Sequence, residues 1–260
     1  MKTINIFGFG QMGQQVSSLF LLLGYSVVVH SSRQINPQLI HKGARLLRRR
    51  LELEDEICGH VVIPENGEII DAPSIDTTIE DLDVKQTIYN KTRSCSDKLF
   101  ASNTSSFSPK EIGEDVVGLH FFNPISMGLV EATECSTKDE KIFDQILQDI
   151  SRIGFSIINV KSNRGYLGNM LLFAEISNAL KMIEIHKYEA SDVEEIYRFL
   201  YPDRDIFNII DLIGVDVVWK IMKNLADKDA SFYLADCLEQ AVKYNLLGKK
   251  NRTSIRQLFN

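Results

Sequence analysis

The chain has 260 residues, 44% of them apolar and 25% charged, with a formal net charge of −6. That length and balance give room for one large or two ordinary domains with a sizeable core, and they exclude a disordered chain or a wholesale nucleic-acid binder. Cys58, Cys95, Cys135 and Cys237 are scattered, with no CxxC pair and no His/Cys spacing suited to zinc, so no metal is expected and reduced thiols in a cytoplasm are.

The opening MKTINIFGFG lacks the pattern of a secretory signal, and the apolar run LFLLLGYSVVV is broken by Gly24 and falls short of the roughly 20 residues a bilayer crossing needs. Neither a leader nor a membrane span is expected. The first 30 residues instead read as a βαβ unit: INIF as a strand, GFGQMG as a turn, QQVSSLFLLLG as a helix stopped by Gly24, and YSVVVH as a second strand. A helix follows from Pro37 to Glu56, then VVIPENGEIID reads as a hairpin around Asn66-Gly67. Short strands recur at KLFAS, VVGLHF and GLVEA, and the helix KIFDQILQDISRI and strand GFSIINV complete an α/β region. From Arg164 onward strand-like alternation stops and helices follow one another, with Ser191 and Glu194 spaced as a capping box and DIFNIIDLIGVDVVWKIMKNL as one helical segment. The fold expected is α/β, with an N-terminal Rossmann-type, doubly wound dinucleotide-binding domain over residues 1–162 and an all-α C-terminal domain over 163–260.

Gly8-Phe9-Gly10-Gln11-Met12-Gly13 is GxGxxG directly after a strand and before a helix, the context in which glycines admit a tight turn, a close pyrophosphate and close helix packing. NAD or NADP is therefore the expected cofactor. The acidic residue that accepts from the adenosine ribose at the end of the second strand is missing; Ser31 stands there, followed by Ser32 and Arg33. A hydroxyl and a guanidinium suit a 2′-phosphate, which favours NADP slightly.

His120 stands in GLHFFNPISMGLVE, beside two phenylalanines, where a buried histidine satisfied by backbone groups is the bland reading. Glu131, eleven residues on, offers the other: if the two segments run back beside each other, a carboxylate can hold the imidazole tautomer for proton transfer. Upstream, the strand KLFAS breaks into Asn103-Thr104-Ser105-Ser106, placing polar groups at the carboxyl end of a strand, where ligands collect in an open α/β sheet.

Taken in order, GFGQMG, IEDLDVK, FASNTSS, GLHFFNP followed by LVE, GYLGNMLLFAEISNA and DLIGVD make the chain resemble the L-3-hydroxyacyl-CoA dehydrogenase family over nearly its whole length. The resemblance implies that His120 is the proton-transferring base with Glu131 as its partner. It implies that Ser105 and Asn169 hold the substrate's 3-oxygen, and that Glu80 and Lys85 touch the cofactor. Lys42 and Arg45, in the basic run HKGARLLRRR, become expected CoA contacts, and the helical half is expected to form a homodimer. The implied substrate is an acyl-CoA or acyl-carrier thioester of fatty-acid metabolism.

Several departures from the family's pattern stand out: Ser31 in place of the acid, a shortened segment before IEDLDVK, a contracted loop between Ser105 and His120, a turn before Glu131 tighter by one residue, and YRFLYPDRDIFNII before DLIGVD. They leave open an NADPH-dependent 3-oxoacyl reductase of a specialised pathway. From another class, a non-catalytic nucleotide-binding sensor would need none of Ser105, His120, Glu131 and Asn169.

Overall fold

The computed structural model describes residues 2–54, 57–135 and 138–259, and the chain divides into two compact units, Met1–Tyr166 and Leu167–Asn260. In the first unit the elements are β1 (Thr3–Phe7), α1 (Gln11–Leu22), β2 (Ser26–His30), α2 (Pro37–Arg50), β3 (His60–Val62), β4 (Ser74–Asp76), α3 (Leu82–Arg93), β5 (Phe100–Ser102), α4 (Pro109–Ile112), β6 (Val116–Phe121), β7 (Leu129–Thr133), α5 (Glu140–Arg152) and β8 (Ser156–Val160). The sheet runs β3-β2-β1-β4-β5-β6-β7-β8. All neighbours are parallel except β6 and β7. Strand order reverses between β1 and β4, which is where an open α/β sheet leaves a crevice at the carboxyl ends of its strands.

Both faces are covered, for reasons visible in the strands. Val117, Leu119 and Phe121 of β6 join Val130 and Ala132 of β7 in the main core, under Val16 and Phe20 of α1 and Phe143, Ile146 and Ile150 of α5. Val116, on the alternate positions of β6, packs with Phe100, Ile112 and Tyr89 on the opposite face. His120 shares the register of Val116, so it stands on the face away from the main core.

The sequence reading needs four corrections. VVIPENGEIID is no hairpin: β3 pairs parallel with β2, a turn closes with Gly67 N–H on the Pro64 carbonyl (3.3 Å), and the chain then leaves for β4. The helix expected to reach Glu56 ends at Arg50, where three arginines in the last turn meet the helix's negative end. Glu52 then turns the chain with φ 53, and Asp55 and Glu56 lie outside the described residues. Ser191 and Glu194 do not cap a helix: they lie inside α7 (Ala190–Leu200), and the Glu194 carboxylate instead pairs with Arg198 and Arg256. The capping box is at Ser108–Glu111, where the Glu111 carboxylate accepts from the Ser108 N–H at 2.9 Å. Finally, the segment after Asp205 is two helices, α8 (Ile206–Ile213) and α9 (Val215–Ala226), parted by Gly214 at φ +101, a conformation that breaks the helical ladder.

The second unit holds α6 (Gly168–Glu184), α7, α8, α9 and α10 (Asp236–Lys243), followed by short 3-10 turns. Its core gathers Phe173, Ile176, Leu180, Phe207, Ile210, Val218 and Met222. Asp211 receives the Ile255 N–H (2.9 Å) and Arg256 bonds to Asp205 (2.7 Å), so the segment at Ile255 is fastened along α8 and to its N-cap. No helix among the described residues is long and apolar enough to cross a membrane. No group of three or more His, Cys, Asp or Glu side chains among them could hold a metal.

Candidate functional site

At the strand reversal, β1 ends in the glycine loop and β4 ends beside it. Gly8 has φ +105, and a Cβ there would come within 2.9 Å of the Thr77 carbonyl oxygen. A Cβ on Gly13 would come within 2.1 Å of the Gly8 carbonyl oxygen. These two positions let β1, the first turn of α1 and the end of β4 close upon one another. Gly10 is exposed, and a Cβ there would meet nothing, so the outer side of the loop is open. No acidic side chain stands in the first turn of α1, whose leading N–H groups have no partner within the helix. A pyrophosphate fits that arrangement, since helix N-termini hold anions through those groups and the positive end of the dipole.

Phe9 is buried, Met12 packs on the core, and Gln11 donates to Asn123 Oδ1 at 3.3 Å. Ser31 follows β2 directly, and its hydroxyl accepts from the Arg33 N–H at 3.0 Å, while the Arg33 side chain is exposed.

Behind this loop lies a buried ionic cluster. Asp76, the last residue of β4, takes the Lys85 ammonium at 2.9 Å, and both side chains have 0% exposure. Thr78 and Ser102 donate their hydroxyls to the same carboxylate at 2.5 and 2.8 Å. Burial alone would lift the Asp76 pKa, but the Lys85 charge and the Thr78 and Lys85 hydrogen bonds hold it below the ordinary carboxylate value. Burial likewise pulls Lys85 down, and Asp76 and Glu80 more than offset it, so the ammonium stays charged. Glu80 lies 3.7 Å from Lys85 through one carboxylate oxygen. Its other oxygen accepts from the Thr104 hydroxyl (2.6 Å), the Ser105 and Ser106 N–H groups (2.9 and 2.8 Å) and the Ser106 hydroxyl (2.9 Å).

Glu80 is thereby the organiser of the loop after β5. The resemblance places Lys85 on the cofactor; the structure encloses its ammonium between Asp76, Glu80 and the Thr78 carbonyl. Asn103 also works within the fold, accepting the Phe121 N–H at 2.8 Å and so tying the end of β5 to the end of β6.

His120 and Glu131 are directly opposite each other in the antiparallel ladder of β6 and β7. Imidazole Nδ1 lies 2.8 Å from Glu131 Oε2, with both side chains nearly enclosed. An ionised carboxylate only accepts, so Nδ1 carries the hydrogen and Nε2 is left as the basic nitrogen. Nε2 faces the Ser105 hydroxyl at 3.3 Å. The tightened turn before Glu131 leaves this pair intact, because Gln15 takes the Ile125 N–H (2.8 Å) and, with Gln11, donates to Asn123, clamping the turn onto α1. The first unit thus brings together His120, Glu131, Ser105 and Glu80. Asn169 lies in the first turn of α6, in the second unit, and is buried there.

Lys42 and Arg45 are exposed on α2. A cleft of about 650 Å³ between α1 and α2 is lined instead by Gln11, Gln14, Gln15, Leu47, Arg49 and Arg50.

Two family descriptions match the chain: "3-hydroxyacyl-CoA dehydrogenase, NAD binding domain" over residues 65–163 and "3-hydroxyacyl-CoA dehydrogenase, C-terminal domain" over residues 165–257. The glycine loop precedes the first matched stretch. Among curated relatives, the 3-hydroxybutyryl-CoA dehydrogenase of Clostridioides difficile is 26% identical, covering 95% of this chain and 96% of its own. The human mitochondrial hydroxyacyl-coenzyme A dehydrogenase is 24% identical, with 96% and 89% covered. Among solved structures, the (S)-3-hydroxybutyryl-CoA dehydrogenase PaaH1 of Ralstonia eutropha superposes with a TM-score of 0.78 at 21% identity, over 98% of each chain, and shares the fold.

Removing the Lys85 ammonium strands two carboxylates inside the protein. Lys85→Met is expected to lower unfolding free energy by about 3–5 kcal/mol in a urea titration, the range for breaking a buried pair from one side. A loss under about 1 kcal/mol, as at an exposed pair, would contradict the enclosed charge cluster.

Proposed function

Because this chain belongs to the 3-hydroxyacyl-CoA dehydrogenase family, we propose that it transfers a hydride between a nicotinamide dinucleotide and C3 of a 3-hydroxyacyl or 3-oxoacyl thioester. The observation that carries the reading is the His120–Glu131 pair, with its basic Nε2 turned to the Ser105 hydroxyl at the carboxyl ends of the strands. When bound, the dinucleotide supplies the hydride acceptor or donor.

The chain's own residues handle the proton. His120 Nε2 takes it from the 3-hydroxyl during oxidation and returns it to the 3-oxygen during reduction. Glu131 holds the imidazole tautomer and balances the charge that the ring acquires. Ser105, already within 3.3 Å of Nε2, is the natural second contact for the substrate oxygen. Asn169 is assigned the same oxygen from the family's pattern alone. Arg49 and Arg50 in the α1–α2 cleft offer charge to the phosphates of a pantetheine carrier, whether CoA or a carrier protein.

Cofactor choice follows from the end of β2. With Ser31 in place of a carboxylate and Arg33 exposed two residues on, a 2′-phosphate meets no repulsion and can gain a guanidinium partner. NADPH is therefore the favoured donor, in a 3-oxoacyl reductase. An activity matrix of NADH and NADPH against acetoacetyl-CoA, longer 3-oxoacyl-CoA and carrier-bound substrates should give turnover with a lower KM for NADPH. His120→Gln should lose about 10²–10⁴-fold in kcat, the range for general acid–base catalysis. Equal traces for the wild type and His120→Gln would sink the enzyme reading and favour a nucleotide sensor, while a lower KM for NADH would sink the NADPH assignment alone.

A homodimer through the helical unit completes the reading. No residue of α7 is buried within this chain, and Phe199 is 84% exposed beside Ile196 and Leu200. An uncovered apolar face of that size on a short helix calls for a partner surface, and a second copy is the partner implied. Light scattering should give twice the chain mass, and Phe199→Glu should return the monomer; a monomeric wild type would remove this part.

A further inference from the structure

The two hydrogen bonds of His120 engage its ring nitrogens, Glu131 on Nδ1 and Ser105 on Nε2, and an imidazole's N–H and lone pair both point outward in the ring plane. They fix an axis through the two nitrogens and leave the imidazole free to tilt about it. Tyr166 meets that freedom. Its ring stacks on the imidazole with centroids 5.3 Å apart and planes 22° from parallel, and Phe122 closes in at 5.1 Å with its ring tilted by 56°.

Several independent features hold Tyr166 in this place. It is 3% exposed. The backbone departs from ordinary geometry to deliver it, with Gly165 at φ 74 and Tyr166 itself at φ 47, a region that bulky side chains rarely enter. The segment leading to it is fastened: the Ser108 hydroxyl donates to the Ser162 carbonyl at 2.8 Å, and Arg164 bonds to Glu111 at 2.7 Å while its guanidinium lies 5.6 Å above the Phe107 ring. The slot that receives the ring is made by Gly118, two residues before His120 on the same face of β6. A Cβ there would come within 2.7 Å of Tyr166 Oη and 2.9 Å of Cε1.

The hydroxyl has no part in this. Among the described residues, Tyr166 Oη is buried without a hydrogen-bond partner. Burial, with Glu80, Glu131 and Asp76 nearby, also pushes the phenol well above its usual pKa, so it stays un-ionised at working pH. What remains is the face of the ring.

We propose that Tyr166 is a positioning residue for His120, its ring restraining the imidazole tilt that Glu131 and Ser105 leave free. The inference rests on His120 being the proton-transferring group, and it adds a contact that works through the ring alone. A base misplaced by about 1 Å can lose about 10²-fold in rate, so the restraint acts on kcat rather than on binding.

The test compares Tyr166→Phe, Tyr166→Leu and Tyr166→Met, the last a flexible filler in case the leucine variant does not fold. With acetoacetyl-CoA and either reduced cofactor, Leu or Met should lower kcat about tenfold or more while each KM stays within about twofold. Phe should restore kcat and raise Tm, since it removes the unpartnered hydroxyl. In parallel, NMR of histidine-labelled enzyme reads the stack directly: the His120 ring protons, assigned with His120→Gln, should move downfield in Leu or Met and stay in place in Phe. A folded Leu or Met variant with wild-type kcat overturns the proposal. If the wild type turns over no 3-oxoacyl thioester, the proposed function fails by itself, and the NMR arm then decides: a shift in Leu or Met alone supports the restraint, and unmoved resonances overturn it.

Discussion

The antiparallel register between β6 and β7 is the constraint on which the site depends. Side chains alternate across a strand, so a slip of one residue would send Glu131 to the face opposite His120. What forbids the slip is the core on the other side, where Leu119 and Phe121 of β6 and Val130 and Ala132 of β7 are fully enclosed together. A one-residue slip of β7 would turn Val130 and Ala132 out of that core and drive the Glu131 carboxylate into it. Losing the burial of Val130 costs about 1.5–3 kcal/mol, and a carboxylate set unpaired among apolar side chains costs more. The apolar face therefore sets the geometry, and the polar face inherits it.

A second layer of support lies one strand further in. The loop carrying Ser105 would be free at the end of a three-residue strand, yet four donors converge on a single Glu80 oxygen and hold it. Lys85 keeps that carboxylate from standing as an unbalanced buried charge, and Asp76 keeps Lys85 from doing the same. The cluster is positioned by backbone pairing, since Asp76 and Ser102 are partners in the β4–β5 ladder. Sheet register thus places both halves of the site, the imidazole pair directly and the serine loop through its charges.

Much of this was legible in the amino-acid sequence, for identifiable reasons. GxGxxG between a strand and a helix carries its own steric logic, and the Gly8 and Gly13 contacts are of the kind that logic requires. His120 and Glu131 were legible as a pair because a Pro-containing turn between two apolar strands implies a return. Other features were hidden by length or by ambiguity of pattern. β4 spans three residues, too few to display alternation, and its place in the sheet depends on long-range pairing. Asn66-Gly67 does make a turn, but a hairpin also needs a second strand alongside, and the chain crosses to β1 instead. Ser191/Glu194 and Ser108/Glu111 share one spacing; only Ser108 has the extended backbone of a cap, with Pro109 starting the helix after it. The enclosure of Lys85 could not be read from IEDLDVK, since its partner Asp76 lies in the strand the sequence concealed.

The central claim is that His120 and Glu131 act as one proton-transferring unit. A double-mutant cycle on kcat/KM with His120→Gln, Glu131→Gln and the double variant tests it most directly. Groups that act as a unit are strongly non-additive, so the double variant should be scarcely slower than His120→Gln alone. Losses that multiply, with the double variant slower by the product of the two single effects, would contradict it.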